Sequence, residues 1–243
     1  MLMPKLKKYQ KKFSHTYAFG IYPTLDLLKN RKESVLKVLL QEDSVGSEGV
    51  SEIVDICKRE GIRYEVNDRV IEKLAIKENT YVVGVFEKYT MELEKENNHV
   101  VLVEPRNMGN VGTIIRTMLG FGYENLAIVE PAVDIFDPMV IRSTMGALFR
   151  INFEYFKSWE EYTKKYPNRN NYPFLLEGAK EIREVEFKEP LSLIFGNEGK
   201  GLPEEFRNIG QSVYISHSKD IDSLNLSIAA GIGMWESIRK EEK

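Results

Sequence analysis

Three stretches in the second half of the chain, HVVLVEP (99–105), NLAIVEP (125–131) and LSLIFGNE (191–198), are almost unbroken runs of Val, Leu and Ile. Runs of that length and composition read as strands buried on both faces, which is the signature of a parallel sheet covered by helices on either side. FLLEGA (174–179) and SVYISH (212–217) read as further strands. The intervening stretches NVGTIIRTMLGFG (110–122), DPMVIRSTMGALF (137–149) and LPEEFRNIG (202–210) carry helical apolar spacing. The expected fold class is therefore α/β with a parallel sheet, and ligands of such sheets bind beyond the carboxyl ends of the strands.

The first half has a different pattern. Helical YPTLDLLKN (22–30), SEIVDICKREG (51–61) and NDRVIEKLAI (67–76) alternate with strand-like VLKVLLQED (35–43) and YVVGVFEKY (81–89). Between the halves, MELEKENN (91–98) is polar and aperiodic. This pattern predicts a small α/β domain over residues 1–90, a linker over 91–98 and a larger domain over 99–243.

Bulk properties exclude several classes. A chain of 243 residues with one cysteine forms no internal disulfide, and three scattered histidines with that cysteine make no metal cluster, so no metal is expected. No apolar run approaches the roughly 20 residues of a membrane span, and MLMPKLKKYQKK is not followed by a signal-peptide core, so a cytoplasmic location is expected. The net charge of −3 is polarised: the first twenty residues hold five lysines and no acid, leaving −8 on the rest. Lys5, Lys7 and Lys8, with Lys11 and Lys12, are either a solvated arm or a phosphate-contacting arm, by charge alone.

Three strand ends carry unusual loops: EPRNMGNVGTIIR (104–116), FGNEGKGLPEEF (195–206) and ISHSKDIDSLN (215–225). They fit neither standard phosphate loop. The residue five before Gly199 is Ile194 and Gly201 follows Lys200, so the P-loop pattern fails, and G-x-G-x-x-G is missing after the first strand. The third loop runs into a stripe of Leu224, Ile228, Ile232, Trp235 and Ile238, expected to pack along one helix face. Ser223 is a natural N-cap there, whereas Asn225 one step inside the helix is costly for propensity alone, which points to a chemical role.

Taken in order, RNMGNVGTIIRTMLGFG (106–122), LIFGNEGKGL (193–202) and SLNLSIAAGIGMWE (223–236) resemble the three motifs of the SpoU, or TrmH, family of RNA ribose 2'-O-methyltransferases within the SPOUT superfamily. The resemblance covers about residue 98 to the end, and the first half resembles the substrate-binding domain many members carry. It implies a deep trefoil knot, S-adenosylmethionine as cofactor and a homodimer through the C-terminal domain. It further implies catalytic roles for Arg116, Asn110, Glu198, Ser223 and Asn225. Cofactor contacts are implied for Phe195, Gly196, Asn197, Glu198, Gly201, Ile215, Ser216, His217, Ser223, Leu224 and Asn225, and RNA contacts for Arg106, Asn107 and Arg116.

The third motif departs from the family's Ile-Pro-Met with a glycine two residues on: here Ile215, Ser216, His217, Ser218 and Lys219 stand. Losing the proline frees φ and adds an N–H, while Lys219 replaces a residue suited to close backbone approach. These changes bear on cofactor affinity. The expected activity is methylation of ribosomal RNA. Transfer RNA, or a catalytically weak RNA-binding relative acting in ribosome assembly, are the alternatives, with a small-molecule methyltransferase behind them.

Overall fold

The computed structural model describes residues 6–76, 80–176 and 178–239, and it divides into two compact units. The first contains β1 (His15–Phe19), α1 (Ile21–Asn30), β2 (Val35–Leu40), α2 (Glu48–Glu60), β3 (Tyr64–Val66), α3 (Asp68–Leu74) and β4 (Val82–Glu87). Its sheet has the order β1-β4-β2-β3, antiparallel except for the β2–β3 pair. Alternation along β2 and β4 splits the core. Val38, Leu40 and Val82 pack with Val50, Ile53, Ile56 and Cys57 of α2, whereas Leu39, Val83 and Val85 pack with Ile71 and Leu74 of α3. Gly61, in the left-handed region at φ 68°, ends α2.

The basic N-terminal stretch is fastened to this unit. Leu6 and Tyr9 pack against the α3-side core, the Tyr17 hydroxyl donates to the Lys7 carbonyl at 2.6 Å, and Lys88 Nζ donates to the Lys11 carbonyl at 2.8 Å. Lys7, Lys8, Lys11 and Lys12 remain exposed on a fixed strap, and Lys5 lies outside the described residues.

Residues 134–150 belong to the same unit, which differs from the expectation of one continuous domain from residue 99. The cause is an aromatic cluster. Phe136 and Phe149 pack on Phe86, Phe136 meets Tyr89 edge-on, and Thr16 Oγ1 donates to the Phe136 carbonyl at 2.7 Å. This segment contains α5 (Pro138–Ser143), started by Asp137 capping the Met139 N–H with Pro138 in the first turn.

The second unit holds β5 (His99–Val103), α4 (Met108–Gly120), β6 (Asn125–Val129), β7 (Asn152–Phe156), α6 (Trp159–Lys165), β8 (Asn170–Pro173), β9 (Lys180–Glu181), β10 (Leu191–Phe195), β11 (Val213–Tyr214) and α7 (Leu226–Ile238). Five strands form a wholly parallel sheet in the order β7-β6-β5-β10-β8. The run expected as FLLEGA forms its strand earlier, at β8, and SVYISH gives only the short β11, paired with β9 outside the main sheet. Residues 91–98 belong to this unit: Leu93 is buried in its core and its N–H donates to the Tyr166 hydroxyl.

At the amino ends of the strands a buried polar chain runs in one direction. The Glu94 carbonyl only accepts, so His99 Nε2, 2.9 Å away, carries the proton and Nδ1 accepts from the Tyr162 hydroxyl. Ser192 then donates to Tyr162, and Arg169 Nε donates to Ser192 at 2.8 Å. Burial first and the Arg169 charge second press the His99 pKa from 6.5 to about 3, against the Glu94 hydrogen bond. The unfolded chain takes up a proton near 6.5 that the folded chain refuses, so stability present above that pH is lost as pH falls toward 3. Denaturant titrations at pH 7, 6 and 5 are expected to show His99→Gln losing less stability per pH unit than wild type, by up to about 1.4 kcal/mol. Parallel slopes would remove His99 as the source.

Candidate active site

The carboxyl ends of β5 and β10 and the segment from β11 to α7 meet around one carboxylate. Glu198, three residues past β10, accepts the backbone N–H groups of Arg106 and Asn107 at 3.0 Å each and the Asn110 side-chain amide at 3.2 Å. It thereby satisfies donors at the start of α4, which Asn107 also caps by accepting the Asn110 N–H. Partial burial pushes the Glu198 pKa up, but these donors outweigh it and hold the carboxyl below its ordinary range. Asn110 Oδ1 in turn accepts from Asn225 Nδ2 at 3.1 Å, and Asn225 Oδ1 accepts the N–H and hydroxyl of Ser227. A single relay therefore joins all three unusual loops.

That relay corrects the reading of α7. The helix begins at Leu226, so Asn225 is the N-cap itself and not an interior residue, and Ser223 lies outside the cap position. Asn225 does two jobs at once: Oδ1 caps α7 and Nδ2 holds Asn110.

The loop after β10 is closed on itself. Asn197 and Gly201 exchange backbone hydrogen bonds, Asn197 Oδ1 accepts from Gly199 and Lys200, and Asn197 Nδ2 donates to the Glu104 carbonyl at 2.8 Å. Gly201 takes φ 68°, and a Cβ on Gly196 would overlap the Gly201 backbone. Beside this loop opens a cleft of about 270 Å³. Its floor includes Phe174 and Phe195, stacked with centroids 4.4 Å apart, and a Cβ on Gly233 of α7 would come within 2.7 Å of Phe174. Leu175, Leu176, Leu224 and Leu226 add apolar wall.

Of the expected cofactor residues, Phe195, Gly196, Asn197, Glu198 and Gly201 line the cleft from one side, and Ile215, His217, Ser223 and Leu224 from the other. Ser216 and Asn225 do not line it. Ser216 Oγ turns to Glu181 at 3.1 Å, and Asn225 is committed to its cap. The His217 Nδ1 donates to the Ile215 carbonyl at 2.8 Å, which fixes the ring against its own loop. Lys219 is exposed and outside the lining, so its side chain does not obstruct the cleft.

The expected RNA residues sit differently. Arg106 and Asn107 are exposed and joined to Glu198 through their backbones. Arg116 is exposed on α4 and is not part of the cleft lining. Sequence reasoning missed Phe174, Leu175 and Leu176, whose place just past β8 at the carboxyl edge was the available signal, and it missed Lys200 and Asp222. Among the described residues no His, Cys, Asp and Glu group is arranged to hold a metal, and no helix is long and apolar enough to cross a membrane.

Three residues of the stripe expected to pack along one face of α7 face outward instead, and Leu224 precedes the helix and lines the cleft. Ile228, Trp235 and Ile238 are 54%, 51% and 43% exposed, while Leu226, Ala230, Gly233 and Met234 form the buried face. Ile228, Gly231, Ile232 and Trp235 line a shallow apolar groove with Thr113 and Thr117 of α4.

A parallel sheet with a cleft at its carboxyl edge, walled in part by apolar side chains and framed by ordered loops, defines the class: an α/β protein whose cleft is of a size to admit a small molecule. Within that class the chain belongs to the SpoU rRNA Methylase family, matched over residues 97–235. It is 30% identical over 149 residues to the 23S rRNA (uridine(2479)-2'-O)-methyltransferase of Streptomyces viridochromogenes, covering 58% of this chain and 52% of that enzyme. It is 26% identical over 201 residues to the 23S rRNA (adenosine(1067)-2'-O)-methyltransferase of Streptomyces laurentii, covering 78% of this chain and 74% of that one. The chain spans about half the length of several curated relatives. In structure it resembles the AdoMet-bound rRNA methyltransferase of Sinorhizobium meliloti, with a TM-score of 0.78 and 28% identity, covering 92% of this chain and 87% of that one.

Proposed function

We propose that this chain transfers a methyl group from S-adenosylmethionine to a ribose 2'-hydroxyl of ribosomal RNA in the cytoplasm. The observation that carries the reading is the Glu198–Asn110–Asn225 relay, which ties three loops around one apolar cleft. The residues present fit the cofactor: Phe174, Phe195 and Leu224 offer apolar surface to adenine, and the loops at 196–201 and 215–217 offer backbone polar groups. When bound, the cofactor supplies an electrophilic methyl carbon on a sulfonium.

What remains for the chain is to hold and orient the hydroxyl and ease its proton away. A free guanidinium, with a pKa above about 12, is a poor base. Arg116 instead grips an RNA phosphate bidentately and aligns or acidifies the adjacent 2'-hydroxyl. Asn110 and Asn225 order that site, with Ser223 on the cleft wall. Arg106, Asn107 and the exposed lysines of the N-terminal strap add RNA contacts.

Ribosomal RNA is favoured over transfer RNA because the similarity to the Streptomyces laurentii 23S rRNA enzyme extends over 78% of this chain, beyond the family-matched region. The domain division of the reading assigns substrate binding to the first compact unit, residues up to 89 with 134–150, and catalysis to the second, residues 90–133 with 151 onward. The passage of the chain from β10 through β11 into α7, which packs on both α4 and β10, supports a trefoil knot. The exposed Ile228, Trp235 and Ile238 stripe beside α4 supports a homodimer through this face.

Incubating the protein with methyl-labelled S-adenosylmethionine and unmodified ribosomal or transfer RNA tests the reading. Label in ribosomal RNA at a 2'-oxygen is expected; label in transfer RNA alone moves the substrate, and label in neither overturns the activity. Sedimentation is expected to give a dimer, and a monomer would overturn that part.

A further inference from the structure

The cleft is lined by three side chains of fixed charge type, Glu198, Lys200 and Asp222, and only the first is occupied. Glu198 is committed to Arg106, Asn107 and Asn110. Lys200 is placed by its backbone, whose N–H donates to Asn197 Oδ1 at 3.1 Å, but its ammonium has no acidic partner among the described residues. The Asp222 carboxylate has no basic or hydrogen-bonding partner among the described residues. The neighbouring acid does: Asp220 accepts the Ser218 hydroxyl at 2.6 Å. Nor do Lys200 and Asp222 pair with each other, although both face the same cleft.

Two unpaired opposite charges on a cleft that also carries the apolar wall of Leu175, Leu176, Leu224 and Leu226 complement a ligand with an apolar body and a zwitterionic end. An α-amino acid tail is such an end: its carboxylate matches an ammonium, and its ammonium matches a carboxylate. We propose that Lys200 and Asp222 form a subsite for the amino-acid end of the methyl donor, Lys200 taking the α-carboxylate and Asp222 the α-ammonium, and so select the whole cofactor over its adenosine portion. The inference rests on the cofactor reading above. His217 also lines the cleft but is turned by its Ile215 hydrogen bond, and it has no part in this selection.

Calorimetric titration of the full chain with three probes tests it. They are S-adenosylmethionine, its decarboxylated form and methylthioadenosine, which lacks the amino-acid tail. Lys200→Met is expected to weaken S-adenosylmethionine about fivefold and to leave the other two within twofold of wild type. Asp222→Asn is expected to weaken S-adenosylmethionine and its decarboxylated form by a similar factor and to spare methylthioadenosine. Lys200→Arg should restore most of the loss. Equal weakening of all three probes would mean that the loops had shifted, and no weakening would mean that both charges are merely solvated. Either result overturns the subsite. Failure of wild type to bind any probe overturns the cofactor reading itself, a distinct outcome.

Discussion

Gly196→Ala is expected to weaken S-adenosylmethionine binding at least tenfold and to lower the melting temperature by about 2–12 °C. The added Cβ has nowhere to go, because the atoms it meets are the Gly201 backbone and the Leu202 nitrogen, not the yielding tip of a side chain. Relief requires opening the loop that Asn197 and Gly201 close by exchanging backbone hydrogen bonds. Opening it moves Glu198, and with Glu198 go the donors of Arg106, Asn107 and Asn110. Overpacking of this kind costs about 1–3 kcal/mol, and in a chain of this size each kcal/mol shifts melting by about 2–4 °C. Gly199→Ala is the control. Its Cβ would meet only Asn197 Oδ1 at 3.6 Å, an ordinary contact, so calorimetry and melting should stay close to wild type. Two variants behaving alike would show that loop closure is not what shapes the cleft.

The parallel sheet was legible because β5, β6 and β10 are buried on both faces and had to be apolar throughout. β1 and β7 were not read as strands. β1 is fully buried yet begins with His15 and Thr16, whose polar groups find partners only in the fold: Thr16 donates to Phe136 and His15 meets the Tyr17 hydroxyl. In β7 Glu154 is satisfied by Lys165 and Tyr166. Polar residues inside a strand, satisfied by groups such as the Phe136 carbonyl that only the fold brings near, hide the strand from a local reading.

Helix α7 shows a second limit. The eye follows its largest apolar residues, Ile228, Ile232 and Trp235, but the face packed on its own chain holds Ala230 and Gly233. Space there is set by the Phe174–Phe195 stack, which Gly233 meets so closely that a larger residue would displace it. Close packing at Ala230 and Gly233 selects small residues, so the buried face, which has only Leu226 and Met234 as large apolar members, gives a weaker apolar signal than the uncovered one. The cap was misread for a related reason: Asn225 as an interior residue looks expensive, whereas as a cap it costs nothing and leaves Nδ2 free for Asn110.

Arg116→Ala is expected to cut methyl transfer at least a hundredfold while leaving melting and S-adenosylmethionine affinity unchanged. The separation follows from position. Arg116 is exposed, stands outside the cleft lining and pairs with no carboxylate among the described residues, and alanine serves a helix as well as arginine does. Nothing in the fold or the cofactor cleft depends on it, so any effect must arise when RNA is present. Positioning of reacting groups is worth several kcal/mol, and loss of the group that fixes a phosphate beside the 2'-hydroxyl forfeits part of that. Arg116→Lys separates charge from shape: it keeps the positive charge but not the planar fork that grips two phosphate oxygens, so it should fall between wild type and alanine, about tenfold down. The loss should appear in single-turnover rates with RNA saturating, because alignment acts on the reaction step and not on encounter. Full turnover by Arg116→Lys would leave Arg116 as one of several interchangeable charges. Weakened cofactor binding by Arg116→Ala would instead place its guanidinium at the cofactor, which within one chain its position off the cleft excludes.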